Sequence, residues 1–182
     1  MRGFLLFILF VPSLFSASEG TRLYELYQNG QYEKACSEGL TKLRRHQNDE
    51  NFVSLYAFAC LQADRIDRLA VPVIMLNQTK EARKNAAFFA AILLQKKLLF
   101  NALESRESLE GLTLPTSDFL LSKVFDLYSA RRYTEKDGIY TLQDPENPRQ
   151  TYRLYLRDSG KTPRLCIDEY YDTILTKQHL YR

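Results

Sequence analysis

The sequence predicts a mostly helical chain with a small α+β part at its C-terminal end. Three observations support this fold class. Apolar residues recur at helical spacing over residues 19–132, the pattern changes to alternation after Gly138, and clusters of turn residues separate the segments. We therefore predict antiparallel helical hairpins over 19–132. For residues 133–182 we predict a three-stranded antiparallel meander followed by a terminal helix.

The first eighteen residues have the pattern of an export signal. Arg2 precedes an unbroken apolar run at 4–11, and Ser16 and Ser18 occupy the two positions that a signal peptidase recognises. The run is far shorter than the roughly twenty residues that span a bilayer. We predict cleavage after Ser18, a periplasmic or secreted mature chain, and no transmembrane segment once the signal is removed. An uncleaved membrane anchor is the alternative.

The composition limits which classes of partner and which disulfide bonds are expected. The chain has 25 Lys and Arg residues against 22 Asp and Glu, and their interspersed order does not indicate a nucleic-acid binder. The cysteines, Cys36, Cys60 and Cys166, permit at most one internal disulfide. A bridge between Cys36 and Cys60 would join neighbouring predicted helices. The interpretation we prefer is that both are small buried apolar residues.

The helices begin and end at recognisable signals. Asn29-Gly30 ends the first helix, and Asp49 is placed to cap the third. Residues 80–104 form either a hairpin that turns at Lys96-Lys97 or one long helix, since no glycine or proline marks the turn. Thr116 is expected to cap the last helix.

The helical segments echo one another at a spacing of 34 residues. The turn GQYEKA at 30–35 lies 34 residues before DRIDRL at 64–69, and LLFNAL at 98–103 follows at the same spacing. This pattern resembles the tetratricopeptide repeat, whose first helix ends in a Gly-x-Tyr-x-x-Ala turn. The resemblance covers residues 19–104, and its first turn is the best instance. An irregular helical bundle is the alternative.

The resemblance implies a concave surface, lined by the first helix of each repeat, that holds an extended peptide or a partner helix. Aromatic side chains supply contact area there, and amides can pair with a peptide backbone. By position the lining residues are Tyr24, Tyr27, Gln28, Ser54, Phe58, Gln62, Phe88, Ile92 and Gln95. The alternative is that the aromatic residues form core. The implied function is that of an exported bacterial scaffold or adaptor that binds a protein partner, by analogy in a cell-envelope assembly.

The C-terminal part alternates as strands do. We predict strands at 139–142, 151–157 and 164–167, with a junction to the helical part at 129–137. A tight turn at 158–161 would place Leu154 opposite Leu165 and Tyr152 opposite Ile167, on the apolar face. Residues 167–177 are predicted to form a helix that covers this face and begins with acidic residues; a longer strand is the alternative.

The opposite face of the predicted sheet carries a basic and aromatic stripe. It consists of Arg153, Tyr155 and Arg157, with Arg164 across the turn. Interleaved cationic and aromatic groups can bind an anionic polymer. In an exported protein this would be envelope glycan or anionic lipid, which makes a glycan- or lipid-binding module the second interpretation. A solvated sheet face is the alternative.

The sequence contains no catalytic, cofactor-binding or metal-binding motif that we recognise. Neither His46 nor His179 has partners at the spacing of a catalytic triad or a zinc site, and both are expected to be exposed to solvent. The acids Asp168, Glu169 and Asp172 lack the glycine-punctuated loop of a calcium site. We therefore predict a protein without a cofactor that is not an enzyme; a cell-wall hydrolase is the third interpretation.

Overall fold

The computed structural model describes residues 18–160 and 162–181. The predicted signal at 1–17 lies outside these residues. Ser18, the last residue of the predicted signal, is described: its hydroxyl caps the first helix by accepting a hydrogen bond from the backbone N–H of Thr21 at 3.2 Å.

The described part of the chain is α+β, with a helical N-terminal region and an antiparallel sheet at its C-terminal end. A 3-10 turn, Ile66–Leu69, precedes the fourth helix. The helices are α1 Glu19–Gln28, α2 Tyr32–Lys42, α3 Glu50–Gln62, α4 Ala70–Met75, α5 Lys80–Ser105 and α6 Leu120–Ser129.

Two of the predicted helix boundaries are confirmed and one is wrong. Gly30 follows α1 with a φ of 69°, a left-handed conformation that glycine adopts without strain. The Asp49 carboxylate caps α3 by accepting from the backbone N–H groups of Asn51 and Phe52. Thr116 does not cap α6, which begins at Leu120 with no side-chain cap.

The helix α5 runs without interruption through Lys96-Lys97, so the hairpin alternative for this segment is wrong. By length and composition this helix could cross a membrane. In the described structure it packs against α4, α6, β3 and β4, and 39% of its most apolar stretch is buried. Its N-terminal end is capped by Thr79, and it ends at Arg106, which adopts a left-handed conformation.

The sheet is a five-stranded antiparallel meander in the order β1-β2-β3-β4-β5. The three predicted strands are confirmed, while the first and last strands were not predicted. The strands are β1 Tyr133–Lys136, β2 Ile139–Gln143, β3 Gln150–Arg157, β4 Arg164–Tyr171 and β5 Ile174–Tyr181. The predicted junction at 129–137 therefore contains β1.

The predicted helix over 167–177 is wrong. Its residues extend β4, turn at Asp172 with a φ of 54°, and return as β5. The apolar residues that suggested one helix come from two strands, since Ile167 lies in β4 and Ile174 and Leu175 lie in β5. A register shift lies between β4 and β5 at Glu169 and Tyr170. Pairing with β5 also satisfies backbone groups that β4 would otherwise leave open at a sheet edge.

The predicted register between β3 and β4 is wrong by two residues. Leu154 lies opposite Ile167, and Leu156 lies opposite Leu165. The strands end at Arg157 and resume at Arg164, so the connection is longer than the predicted tight turn. Because the error is an even number of residues, each side chain stays on its predicted face.

One hydrophobic cluster extends through both the helical region and the sheet. The inner face of the sheet contributes Leu142, Tyr152, Leu154, Leu165 and Ile167, all of them buried. The helix α5 packs on β3 and β4, and α6 packs on β2. The helical region and the sheet therefore share a core.

Candidate functional site

Six of the nine predicted groove residues lie on α1 and α3 and reach the surface to different degrees. Tyr24 is 54% exposed. Gln28 and Gln62 are exposed, and their side chains form no hydrogen bond or ion pair with the described residues. The other three, Tyr27, Ser54 and Phe58, are half-buried. We call these six residues the helical face.

The three predicted groove residues on α5 do not extend this surface. Ile92 and Gln95 are fully buried, and Phe88 is half-buried. The cover is the segment that leads into α6: the Gln95 amide donates to the carbonyl of Pro115 at 3.0 Å and accepts from the Ser122 hydroxyl at 2.7 Å. The groove prediction is therefore wrong for Ile92 and Gln95, because an element outside the repeat covers them.

Phe58 marks the boundary between the helical face and the core. Its ring centroid lies 4.9 Å from that of Phe89, edge to face, and 6.2 Å from that of Phe88. Aromatic pairs at these separations stabilise a core beyond the area they bury. Phe58 therefore supports the α3–α5 packing with most of its side chain.

A disulfide between Cys36 and Cys60 joins α2 to α3, so our preference for two unpaired cysteines is wrong. Both residues are buried, as the preferred interpretation required, but their Cα atoms are only 4.7 Å apart. The close approach depends on Gly39, where an added Cβ would lie 2.7 Å from the Tyr56 ring. Sequence spacing alone could not give this distance.

The basic stripe lies on the outer face of the sheet, as its alternation predicts. The Arg153 guanidinium lies 4.4 Å from the centroid of the Tyr170 ring, and that of Arg157 lies 5.9 Å from the Tyr155 ring. The Tyr155 hydroxyl accepts from Arg157 at 3.0 Å and donates to the Asp168 carboxylate. Arg153 and Arg157 therefore lie along the sheet against tyrosine rings.

The surroundings of Tyr155 raise the pKa of its phenol overall. Burial raises the pKa of its phenol above the ordinary value; the Arg157 guanidinium opposes this shift, and the Asp168 carboxylate adds to it. Tyr155 therefore stays neutral at physiological pH. The free thiol of Cys166, opposite Tyr155 in the sheet, is buried, and burial raises its pKa, so it is an unreactive thiol.

Arg164 lies apart from the exposed arginines of the stripe. It pairs with Arg157 in register at the end of the strands, but it also lines a cavity between the sheet and α5. The sequence pattern predicted its face correctly and could not show this second environment.

His179 is buried, so the expectation that it is exposed is wrong. Its Nδ1 lies 2.9 Å from Asp64 and its Nε2 lies 3.0 Å from Glu169. Burial alone would lower the pKa of the imidazole, but the two carboxylates outweigh it and raise the pKa. The partners come from the turn after α3 and from β4, so only the tertiary structure assembles them.

His46 is half-buried and also differs from expectation. Its ring stacks on Phe52 with centroids 4.2 Å apart, and its Nε2 lies 2.7 Å from the Glu19 carboxylate. This contact ties the loop after α2 to the start of α1.

Both ring nitrogens of His179 are occupied by carboxylates, which leaves neither free to take a proton from a nucleophile. Within residues 18–160 and 162–181 no three His, Cys, Asp or Glu side chains are grouped to hold a metal ion. The helical face and the basic stripe present aromatic, amide and guanidinium side chains that can recognise a partner.

Comparison of the chain with protein-family models, with curated proteins and with solved structures finds no match.

Proposed function

We propose that this protein is exported from the bacterial cytoplasm and acts as a scaffold or adaptor that holds a protein partner against the helical face. The observation that carries the proposal is the exposure of Tyr24 and Gln28 on α1 and of Gln62 on α3, the helix that a disulfide joins to α2. A place in a cell-envelope assembly is also part of the proposal, and it rests on the resemblance to tetratricopeptide repeats.

The side chains of the helical face suit a peptide backbone. Gln28 and Gln62 each offer an amide N–H donor and a carbonyl acceptor, and neither is engaged by the described residues. Tyr24 offers a large ring with few rotatable bonds, which gives contact area at low entropic cost. A partner that presents an extended segment can satisfy the amides while covering the ring.

The disulfide supports export, although weakly by itself. Disulfides persist mainly in oxidising compartments, and the bond between Cys36 and Cys60 is in keeping with the signal pattern of the first eighteen residues. Cleavage after Ser18 would remove the cap of α1 and leave Glu19, whose carboxylate contacts Arg45 at 2.9 Å, as the first residue.

The mass of the exported chain tests this part of the proposal. We expect the protein recovered from the periplasm or medium to begin at Glu19. A chain of full length that stays with the cell would contradict export with cleavage.

Photo-crosslinking in the exporting bacterium tests the helical face. A photoreactive amino acid replaces Tyr24 in one variant and Leu40 in a matched control; Leu40 lies on α2 and is 45% exposed. We expect a discrete protein adduct from position 24 and none from position 40. Equal adducts from both positions would contradict the proposal.

The identified partner then allows a direct measurement. Tyr24→Ala should raise the Kd at least about tenfold, the size expected for an aromatic anchor, while the unfolding midpoint stays unchanged. An unchanged Kd in the folded variant would remove Tyr24 from the interface and overturn the proposal.

A second candidate function is binding of an anionic glycan or lipid surface by the outer face of the sheet. It is favoured by the exposed guanidiniums of Arg153 and Arg157, neither of which forms an ion pair with a described residue. Binding to phosphatidylglycerol vesicles should weaken in Arg153→Gln/Arg157→Gln and at high salt. Arg149→Gln is the control, because Arg149 is already paired with Asp172 at 2.6 Å.

A further inference from the structure

A cavity of about 490 Å³ lies between α5, the 3-10 turn before α4, and the end of the β3–β4 hairpin. We call it the Lys96 cavity, after the lysine that lines it from α5. Its volume is in the range of sites that hold small organic molecules. It is separate from the helical face and shares only Arg164 with the basic stripe on the sheet.

Positive charge exceeds negative charge on the walls of the Lys96 cavity. The Asp67 carboxylate lies 2.7 Å from the Lys96 ammonium and 2.9 Å from that of Lys97, so one carboxylate serves two cations. Arg164 adds a third cation and forms no ion pair with a described residue. Three positive groups and one negative group leave two positive charges uncompensated.

Lys96 is an unusual wall residue because its side chain is only 7% exposed. Burial lowers the pKa of its ammonium, and the Asp67 carboxylate offsets part of this effect. Burial alone would raise the pKa of Asp67, but the two lysines outweigh it and lower the pKa, so the carboxylate is ionised. The ammonium has three N–H donors and gives one to Asp67, which leaves donors for a ligand.

Tyr181 also lines the Lys96 cavity. The residue is 1% exposed and its hydroxyl oxygen is shielded from solvent, so the hydroxyl does not face the cavity.

The remaining wall is apolar. Phe100 from α5 and Leu165 from β4 both line the cavity and belong to, or pack against, the hydrophobic core. A bare inorganic anion would leave this surface in contact with water. An anion with an apolar body would cover it, which contributes binding free energy through the buried area.

We infer that the Lys96 cavity binds a small organic phosphate monoester. Its phosphate would contact Lys96, Lys97 and Arg164, and its apolar body would lie on Phe100 and Leu165. A phosphate monoester carries nearly two negative charges at neutral pH, which matches the uncompensated charge of the walls. This inference does not depend on the helical face or on a protein partner.

Isothermal titration with phenyl phosphate at low salt tests the inference on the full mature chain. We expect saturable binding at one site, at least about tenfold weaker binding in Arg164→Gln and in Lys97→Gln, and no change in Arg149→Gln. Phenol and inorganic phosphate, the two halves of the probe, should each bind at least about tenfold more weakly than phenyl phosphate.

The unfolding midpoints of Arg164→Gln and Lys97→Gln separate a binding role from a structural one. Each midpoint should stay unchanged while the affinity for phenyl phosphate falls. Because Arg164 and Lys97 are at least partly exposed, their variants remain usable even if Lys96→Met does not fold.

Three results would overturn the inference: no saturable binding of phenyl phosphate, affinity unchanged in both Arg164→Gln and Lys97→Gln, or equal affinity for inorganic phosphate and phenyl phosphate.

Discussion

The helical region and the sheet are held in place by different physical means. Between α2 and α3 the contacts are covalent and apolar: the Cys36–Cys60 bond, and the close approach of Gly39 to Tyr56. At the other end, β5 is tied to the turn after α3 by an ionic contact, where His179 Nδ1 lies 2.9 Å from Asp64 across 115 residues of sequence.

The stability of the two regions therefore depends on different solution conditions. Apolar packing is insensitive to pH, and a disulfide is sensitive to reductant. A buried histidine between two carboxylates contributes stability that changes with pH. We therefore expect reductant to act first on the helical region and a rise in pH to act first on the attachment of β5.

The largest expected effect comes from the shared core. Phe89→Ala should lower the free energy of unfolding by about 3–5 kcal/mol, because Phe89 is fully buried on α5. Leu94→Ala on the same helix, at 46% exposure, is the control and should cost less than about 1 kcal/mol. Circular dichroism and tyrosine fluorescence should show one coincident transition, and two separate transitions would mean that the regions do not share one cooperative core.

Loss of the disulfide should be the next largest effect. Cys36→Ala/Cys60→Ala should lower the free energy of unfolding by about 2–4 kcal/mol, since the bond closes a loop across a sequence separation of 24. Denaturant melts with and without dithiothreitol measure this loss of free energy of unfolding. The matched control, Cys166→Ala, should keep its dependence on reductant, and a double variant as stable as the wild type would contradict the structural role.

The ionic anchor of β5 predicts a specific pH dependence. The folded pKa of His179 is raised above its ordinary value of 6.5, so its stabilising contribution is complete below that pH and is lost as the pH rises through the folded value. The pKa of Glu169 is lowered from 4.5, mainly by His179, so its contribution is present above that pH and is lost on acidification.

His179→Gln should therefore lower stability most between pH 4.5 and 6.5, by about 1.5–3 kcal/mol, and less as the pH rises further. Urea melts across this range measure the difference, and Asp64→Asn should reproduce it. A difference that does not vary with pH would show that the imidazole acts by packing alone.

The smallest expected effects contrast two helical glycines. Gly39→Ala should cost about 1–2 kcal/mol, because the new methyl group would lie 2.7 Å from the ring of buried Tyr56. Gly20→Ala should instead stabilise by roughly 0.5–1 kcal/mol, since nothing lies within 4 Å and alanine favours the helix. Thermal melts of the two variants test the signs, and a stabilising Gly39→Ala would show that Tyr56 can move aside.

Local signals were predicted well because the chain contains their causes within a few residues. The Asp49 cap, the stop at Asn29-Gly30 and the alternation of β3 each depend on neighbours in sequence. The terminal helix was predicted wrongly because the turn at Asp172 joins two strands, and the apolar residues on either side of it together have helical spacing.

The candidate sites depend on contacts between residues that are distant in sequence, and sequence spacing does not predict such contacts. Ile92 and Gln95 have the positions of groove residues, but the segment that ends at Ser122 covers them. The sequence suggested only a turn at Lys96 and Lys97. In the structure both ammonium groups contact the carboxylate of Asp67, which lies in the 3-10 turn before α4.

The sequence by itself determined the end of α1, the start of α3, three of the five strands, the inner and outer faces of the sheet, and the export pattern on which the proposed localisation rests. These properties follow from periodicity and local capping, which act over a few residues. Only the tertiary structure decided that Cys36 meets Cys60, that His179 meets Asp64, and that Lys96 meets the end of β4. Such contacts join residues far apart in sequence, and their formation depends on how the helices and the sheet pack around one core.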